Sequence, residues 1–232
     1  MGQEKVWENE YRNEPKLITK HNEPQKTFLR FLKYYKKKIG KDFSKISVFD
    51  AGCGAGRNSN HLASMGFNVS GCDISSSAIN IAKERAKNAD LEIDYGVCDL
   101  GRVLKYSDAS MNLVLDVTSS NSLDEKGRKI FVEEIFRILK KDGYLYVRAL
   151  CLEGDKNAKN LIKKNSGKEK DTYKMPELGL VERVFSREDF EKTYSENFII
   201  EKLIKESGYT KFGGQNYKRN FWVAYLKKND KK

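Results

Sequence analysis

Short apolar runs alternate with longer amphipathic segments through the middle of the chain. Strands are predicted at residues 46–49, 67–72, 91–97, 113–115 and 144–147, where apolar side chains are consecutive or alternate with polar ones. Between these runs, apolar residues recur every three or four positions, as in helices that bury one face. Strands that alternate with helices form βαβ units. The pattern therefore predicts an α/β fold with a parallel sheet covered by helices on both faces.

The N-terminal part follows a different pattern. An Asn-Glu-Pro sequence at residues 22–24 is typical of a helix start, and apolar positions at helical spacing continue to Gly40. Residues 1–20 are polar and hold two isolated aromatic residues, Trp7 and Tyr11. This stretch is expected to be an arm that precedes one helix.

The C-terminal third begins with a polar stretch. Residues 152–180 show little apolar periodicity and predict a long loop with one helix near 158–164, either a functional lid or a disordered segment. Ser-Arg-Glu-Asp at 186–189 fits a capping box for a short helix. Apolar runs at 198–200 and 221–226 then predict two antiparallel strands, joined by a turn segment that contains Gly208, Gly213 and Gly214.

Composition adds a charge asymmetry. The 232 residues include 44 Lys and Arg against 33 Asp and Glu, a net charge of +11. Residues 1–40 hold 10 basic and 5 acidic residues, and residues 201–232 hold 9 basic and 3 acidic, whereas the remainder is balanced. A basic surface attracts anions such as nucleic acid. Because no RNA-binding sequence motif accompanies the charge, it is also consistent with ordinary solvated surface.

Other classes of protein are disfavoured by simple counts. No stretch of about 18 apolar residues is present, so no membrane span is expected. Four cysteines without C-x-x-C spacing and two histidines make a metal site improbable, and no metal is predicted. Since no secretory leader is visible, a cytoplasmic protein with free buried thiols is expected.

A glycine-rich turn carries the clearest chemical signal. Asp50 to Gly56 reads D-x-G-x-G-x-G, directly after a predicted strand and before a helix. Glycine lets the backbone turn sharply and lets a ligand approach it closely. A dinucleotide-binding turn would read G-x-G-x-x-G, but Arg57 occupies its third glycine position. Asp73, at the end of the next strand, is placed to accept both hydroxyls of a ribose.

Aspartates also follow other predicted strands, namely Asp99 after the third and Asp116 after the fourth. In open α/β sheets, ligands bind beyond the carboxyl ends of the strands. We therefore expect these acids and the glycine turn to face one crevice.

With this motif set, residues 44–150 resemble the class I S-adenosylmethionine-dependent methyltransferases. The resemblance implies a Rossmann-like, doubly wound sheet of seven strands, mostly parallel with an antiparallel C-terminal strand. It also implies S-adenosyl-L-methionine as cofactor. The glycine turn and N-terminal arm look most similar to small bacterial methyltransferases of the tellurite-resistance and thiopurine type, although the long 151–185 segment departs from the compact tellurite-type pattern.

The resemblance implies a role for each motif. The turn would contact the methionine part of the cofactor, the acid after the second strand its ribose, and the acid after the third its adenine amino group, while the fourth strand ends near the methyl group. Trp7 and Tyr11 would form an aromatic arm over the cofactor. Arg57 could pair with the methionine carboxylate or cap the loop. The predicted cofactor-binding residues are Trp7, Tyr11, Asp50, Ala51, Gly52, Cys53, Gly54, Gly56, Arg57, Asp73, Ile74, Cys98, Asp99, Leu100 and Asp116.

One methyltransferase domain is expected over residues 1–232. It would comprise an arm and helix (1–40), a cofactor-binding core (41–150), a substrate loop or lid (151–185), and a helix with an antiparallel strand pair (186–232). The leading hypothesis is methyl transfer to a small molecule by in-line displacement, with no catalytic residue assigned and His21 as a candidate base. Two alternatives remain: an RNA-modifying methyltransferase that uses the basic ends, and a non-catalytic cofactor-binding regulatory module. Oligomeric state is not predicted.

Overall fold

Helices and strands account for most of residues 3–13, 16–18 and 22–231, the parts of the chain that the computed structural model describes. The helices are α1 (Gln3–Arg12), α2 (Lys26–Tyr35), α3 (Arg57–Ser64), α4 (Ser76–Lys87), α5 (Glu125–Ile138), α6 (Lys156–Lys164) and α7 (Arg187–Tyr194). The strands are β1 (Ser47–Ala51), β2 (Asn68–Asp73), β3 (Asp94–Val97), β4 (Met111–Val117), β5 (Leu139–Leu150), β6 (Thr172–Lys174), β7 (Val181–Arg183), β8 (Phe198–Phe212) and β9 (Gln215–Lys228).

Seven of these strands form one sheet in the order β3-β2-β1-β4-β5-β9-β8. Strands β1 to β5 pair in parallel, and β9 runs antiparallel to both of its neighbours. The predicted seven-stranded, mostly parallel sheet with an antiparallel C-terminal strand is therefore confirmed. Because the chain reverses its winding direction between β1 and β4, the carboxyl ends of these two strands border a crevice.

The core is divided by the sheet into two apolar layers. Along β5, Leu145 and Val147 pack into the layer that includes α5 and α7, whereas Tyr144 and Tyr146 pack into the layer that includes α2. This alternation follows from the two-residue period of a strand. Both faces are apolar, as expected for strands buried between helices.

The C-terminal strands are much longer than the apolar runs that predict them. β8 and β9 pair from Phe198 to Phe212 with one register shift between Ile200 and Lys202, and only Gly213 and Gly214 form the turn. Both glycines have positive φ, +54° and +81°, which residues with a Cβ rarely adopt. The expectation of a broad turn segment containing Gly208 is therefore wrong, because Gly208 lies within β8 and pairs with Arg219.

Residues 151–185 are ordered by the elements around them. They contain α6, close to the predicted helix, and the two-stranded β6–β7 sheet, which apolar periodicity did not reveal. The buried Asp155 carboxylate caps α6 and accepts from Arg219 Nε of β9 at 3.0 Å. This ion pair joins the segment to the main sheet.

The N-terminal region differs from expectation in one respect. Residues 3–12 form helix α1, which the sequence pattern did not predict, and this helix packs against α4. His21, the candidate base, lies outside the described residues. No helix in the described ranges combines the length and the apolar character needed to cross a bilayer.

Candidate cofactor and acceptor site

The glycine turn links the end of β1 to the start of α3. Its Cys53 N–H donates to Cys72 O of β2 at 2.8 Å, which fixes the turn against the neighbouring strand. Gly52 and Gly54 have φ of +71° and +55°. A Cβ on Gly54 would overlap the Tyr11 hydroxyl, so this position needs glycine for both its conformation and its close approach to α1.

Asp73 lies at the end of β2, next to this turn. Its Oδ2 accepts from the Gly54 N–H at 2.9 Å, and its Oδ1 accepts from the Ser75 N–H at 3.0 Å. Burial raises the pKa of Asp73, while these backbone hydrogen bonds act in the opposite direction. A carboxylate has about four lone-pair sites, so the group retains capacity to accept hydroxyl donors from a ligand.

Most of the predicted site residues line one cavity of about 1020 Å³ at the carboxyl ends of the parallel strands. The structure brings together at its wall Trp7, Tyr11, Gly52, Cys53, Gly54, Arg57, Asp73, Ile74, Cys98, Asp99 and Leu100. The expectation of a shared crevice agrees with this arrangement for the turn, for Asp73 and for Asp99. The Asp99 carboxylate is itself held by the Gly101 N–H and by Arg102.

Four predicted residues lie behind the cavity wall instead of on it: Asp50, Ala51, Gly56 and Asp116. Asp50 is buried and accepts from Ser59 Oγ of α3 at 2.6 Å, and burial raises its pKa to about 6. Asp116 is also buried, and its Oδ1 accepts from Ser119 and Ser120. Because their carboxylates bind the adjoining backbone and hydroxyls, these two acids shape the turns that face the cavity.

Helix α1 covers the cavity beside the glycine turn. Trp7 and Tyr11 lie on its inner side, and burial, together with the Asp73 charge, raises the pKa of Tyr11 above its ordinary value. The helix is fastened by Glu8, whose carboxylate accepts from three serines at the start of α4. The hydroxyl of Ser77 is the largest cause that lowers the pKa of Glu8 to about 2.

The outer half of the cavity is formed by residues that the sequence did not identify as site residues. They come from the end of β5, from the 151–185 segment and from the β8–β9 hairpin, and include Arg148, Leu161, Met175, Glu182, Tyr209, Phe212 and Phe221. Arg148 follows four apolar residues of a predicted buried strand. A charged residue at that point was the one available sequence signal, because buried charges need partners.

The cysteines differ from expectation. The structure joins Cys72 and Cys98 in a disulfide with a Cα–Cα distance of 5.7 Å, while Cys53 and Cys151 are free and buried. The expectation that all four thiols are free is therefore wrong for this pair. The two cysteines are 26 residues apart and share no sequence motif, and the pairing of β2 with β3 is what brings them together.

The site fits an adenosylated amino-acid cofactor in its donor and acceptor set. One end offers the Asp73 carboxylate for hydroxyl groups, and the glycine turn packs so closely that a Cβ on Gly52 or Gly54 would overlap Ser119 or Tyr11. The Arg57 guanidinium, at the first turn of α3, has no hydrogen-bond or ion-pair partner among the described residues and can meet a carboxylate. In the same ranges, no group of three or more His, Cys, Asp or Glu is arranged to hold a metal ion.

Comparisons with known proteins agree with this geometry. Residues 48–143 match the family described as methyltransferase domain. A ubiquinone biosynthesis O-methyltransferase from Pelagibacter ubique is 32% identical over 130 residues, which is 51% of this chain and 52% of that protein. The chain thus spans about half the length of this relative.

Solved structures extend the likeness to nearly the whole chain. A SAM-dependent methyltransferase from Methanosarcina mazei superposes with a TM-score of 0.73 at 23% identity, over 84% of this chain and 96% of the other. One from Anabaena variabilis superposes with a TM-score of 0.69 at 19% identity, over 98% and 93%. At these identities the structures show a common fold.

The sheet order and the glycine turn define a Rossmann-like fold, and within it residues 48–143 match the methyltransferase domain family. Solved structures with this fold include SAM-dependent methyltransferases, so S-adenosyl-L-methionine is the cofactor that the site is expected to hold. The finer likeness to the tellurite-resistance and thiopurine type stays a prediction.

Proposed function

We propose that this protein transfers a methyl group to a small-molecule acceptor by in-line displacement. One observation carries the proposal: the cavity continues from Asp73 and the glycine turn into an outer half lined by Leu161, Met175 and Phe221. Its volume of about 1020 Å³ lies at the upper end of the roughly 300–1,000 Å³ typical of small-molecule sites. This space suits a cofactor with a compact acceptor beside it.

In this proposal the inner half holds the cofactor, which when bound supplies an activated methyl group on a sulfonium. Asp73 accepts from the ribose hydroxyls, and the glycine turn with Arg57 holds the methionine end. Ile74, Cys98, Asp99 and Leu100 surround the adenine. Trp7 and Tyr11 cover the cofactor and exclude water, and the end of β4 at Val117 borders the acceptor. Alignment of two reactants in this way can provide much of the rate acceleration.

The cavity wall also bears on proton transfer. Among the described residues, none of those lining the cavity is a histidine. Its outer acids Glu177 and Glu182 are already hydrogen-bonded, to Lys16 and to Tyr173. This composition supports an acceptor whose nucleophile needs little help in losing a proton.

The RNA hypothesis has less support from the structure. Several basic residues of the two ends lie on α2 and on strands β8 and β9, and acids partly neutralise them. Arg30 pairs with Glu206, and Lys227 pairs with Asp142. The outer cavity wall, by contrast, includes an apolar patch formed by Leu150, Met175 and Phe221.

The test is incubation of the protein with methyl-labelled S-adenosylmethionine and a cell extract that has been separated into small molecules, RNA and protein. Label is expected in the small-molecule fraction and is expected to fall in Asp73→Asn. Label in RNA alone would support the rival acceptor. Binding of S-adenosylhomocysteine without label in any fraction would support a non-catalytic module.

A further inference from the structure

Four arginines line the cavity, and they differ in what they bind. Arg219 pairs with the buried Asp155 and donates to the Tyr173 hydroxyl, each at 3.0 Å. Arg85 donates to the Ala55 carbonyl at 3.1 Å. Within residues 3–13, 16–18 and 22–231, the guanidinium groups of Arg57 and Arg148 have neither an ion-pair nor a hydrogen-bond partner. Among the described residues of the wall, these two are the arginines whose guanidinium groups donate to no protein group.

Arg148 is held in place by packing. Its guanidinium carbon lies 3.4 Å from the ring centroid of Phe221, so the planar group stacks on the aromatic face. Stacking occupies one face of the guanidinium and leaves its five N–H donors at the edge. Burial lowers the pKa of Arg148 to about 10, and the neighbouring Arg57 charge acts in the same direction. Arg148 is half-buried, and an unpaired cation there carries a desolvation cost that a ligand anion would offset.

The position of Arg148 separates it from the cofactor end. Arg57 begins α3 directly after the glycine turn, at the end proposed for the methionine carboxylate. Arg148 lies at the carboxyl end of β5 and pairs in register with Val117, the last residue of β4. Under the proposed function, this is the acceptor side of the methyl group.

An apolar surface lies beside Arg148 in the cavity wall. Leu150, Met175 and Phe221 belong to one buried cluster and also line the cavity. A ligand that lies against them buries an apolar body while its charged group reaches the guanidinium.

We propose that Arg148 binds a carboxylate or phosphate group of the methyl acceptor, an inference that rests on the proposed function. The apolar or aromatic body of the acceptor packs on Leu150, Met175 and Phe221. The acceptor is therefore an amphipathic organic anion. Arg148 acts as a specificity-determining residue that orients this anion toward the methyl group, and Arg57 serves the cofactor carboxylate.

The test uses three ring compounds that differ in one group: benzoate, phenyl phosphate and benzyl alcohol. Each is titrated by calorimetry into the full chain saturated with S-adenosylhomocysteine. The two anions are expected to bind at least about tenfold more tightly than benzyl alcohol, because charged hydrogen bonds are the strong ones. The better of the two anions identifies the acid type.

Two variants then distinguish the role of Arg148 in acceptor binding from the role of Arg57 in cofactor binding. Arg148→Met is expected to weaken anion binding by about ten- to a hundredfold and to leave benzyl alcohol and S-adenosylhomocysteine within about threefold. Arg57→Met is expected to weaken S-adenosylhomocysteine instead. Arg187→Gln, which removes an exposed arginine of α7 that is paired with Glu191, is the charge control and should change neither. Arg148→Lys should retain part of the anion affinity.

Anions that bind no better than benzyl alcohol, or that bind equally to wild type and Arg148→Met, overturn the proposal. Equal weakening of all three compounds in Arg148→Met also overturns it, since that result assigns the residue a packing role. Wild-type protein that fails to bind S-adenosylhomocysteine contradicts the proposed function separately. If S-adenosylhomocysteine does not bind, the two anions are still expected to bind the cofactor-free protein more weakly in Arg148→Met than in wild type.

Discussion

The Glu8 carboxylate of α1 accepts a hydrogen bond from the Ser77 hydroxyl of α4 at 2.6 Å, across 69 residues of sequence. The same carboxylate accepts from the Ser75 hydroxyl at 2.8 Å and from the Ser77 N–H at 3.2 Å. It therefore lies at the N-terminus of α4, where unpaired N–H groups and the helix dipole favour an anion. Through this contact α1 is held over the cavity.

Removal of the Glu8 carboxylate should weaken the attachment of α1 over the cavity. Glu8→Ala is expected to weaken S-adenosylhomocysteine binding by about fivefold, which corresponds to about 1 kcal/mol for a lost acceptor at a helix N-terminus. Glu4→Ala, on the exposed part of the same helix, is the matched control and should bind normally. Calorimetry measures both. Equal affinities in the two variants would show that α1 does not depend on Glu8 for its position.

The same residue predicts a pH effect. The pKa of Glu8 is lowered to about 2 from 4.5, so its contribution to stability is present above pH 4.5 and is lost as pH falls toward 2. The melting temperature of Glu8→Ala should therefore lie below that of wild type at pH 7, and the gap should narrow at pH 3. If the difference in melting temperature between wild type and Glu8→Ala is the same at pH 7 and pH 3, the ionised Glu8 carboxylate is not the source of that stability.

Close packing between Gly54 and Tyr11 predicts a coupled pair of substitutions. Gly54→Ala forces a Cβ into the left-handed region and against the Tyr11 hydroxyl, and should destabilise the fold by at least about 1–2 kcal/mol. Adding Tyr11→Phe removes the hydroxyl, so the double variant should recover part of the loss. Gly40→Ala, at a position with open space, is the control. Urea unfolding measures all three, and strictly additive effects would count against the overlap.

The Asp73 assignment predicts a selective loss of cofactor affinity. Asp73→Asn removes the charge that would accept the ribose hydroxyls, and S-adenosylhomocysteine should bind about ten- to a hundredfold more weakly. Asp94→Asn, on the adjacent strand β3 but exposed and paired with Lys105, should bind as wild type does. Melting curves of both variants check that the fold persists. Unchanged affinity in Asp73→Asn would remove the acid from the cofactor site.

The central sheet could be predicted because its buried strands appear in the sequence as short apolar runs. A parallel strand covered on both faces must be apolar throughout, as in Val48 and Phe49, and its end is marked by a polar residue such as Asp73. The glycine turn is equally local, since the positive φ of Gly52 and Gly54 requires glycine. These features depend on neighbours within a few residues.

The outer half of the site and the position of α1 could not be predicted because both depend on contacts between distant segments. Glu8 meets Ser77 only after α1 docks on α4, and Phe221 meets Arg148 only after β9 pairs with β5. Helix α1 buries few apolar side chains, so it has only a weak periodic pattern. In the same way, the Cys72–Cys98 pair depends on strand pairing alone.

Helix α2 provides a test of the packing that supports the site. Phe31 is fully buried and contacts Tyr146 and Tyr225, with ring centroids 4.8 and 5.0 Å away, whereas Leu29 on the same helix is 40% exposed. Phe31→Ala should cost about 3–5 kcal/mol, because it removes buried apolar surface and leaves a cavity. Leu29→Ala should change the free energy of unfolding by less than about 1 kcal/mol. Denaturant unfolding monitored by circular dichroism measures both, and comparable losses in the two variants would mean that α2 does not pack on the sheet through Phe31.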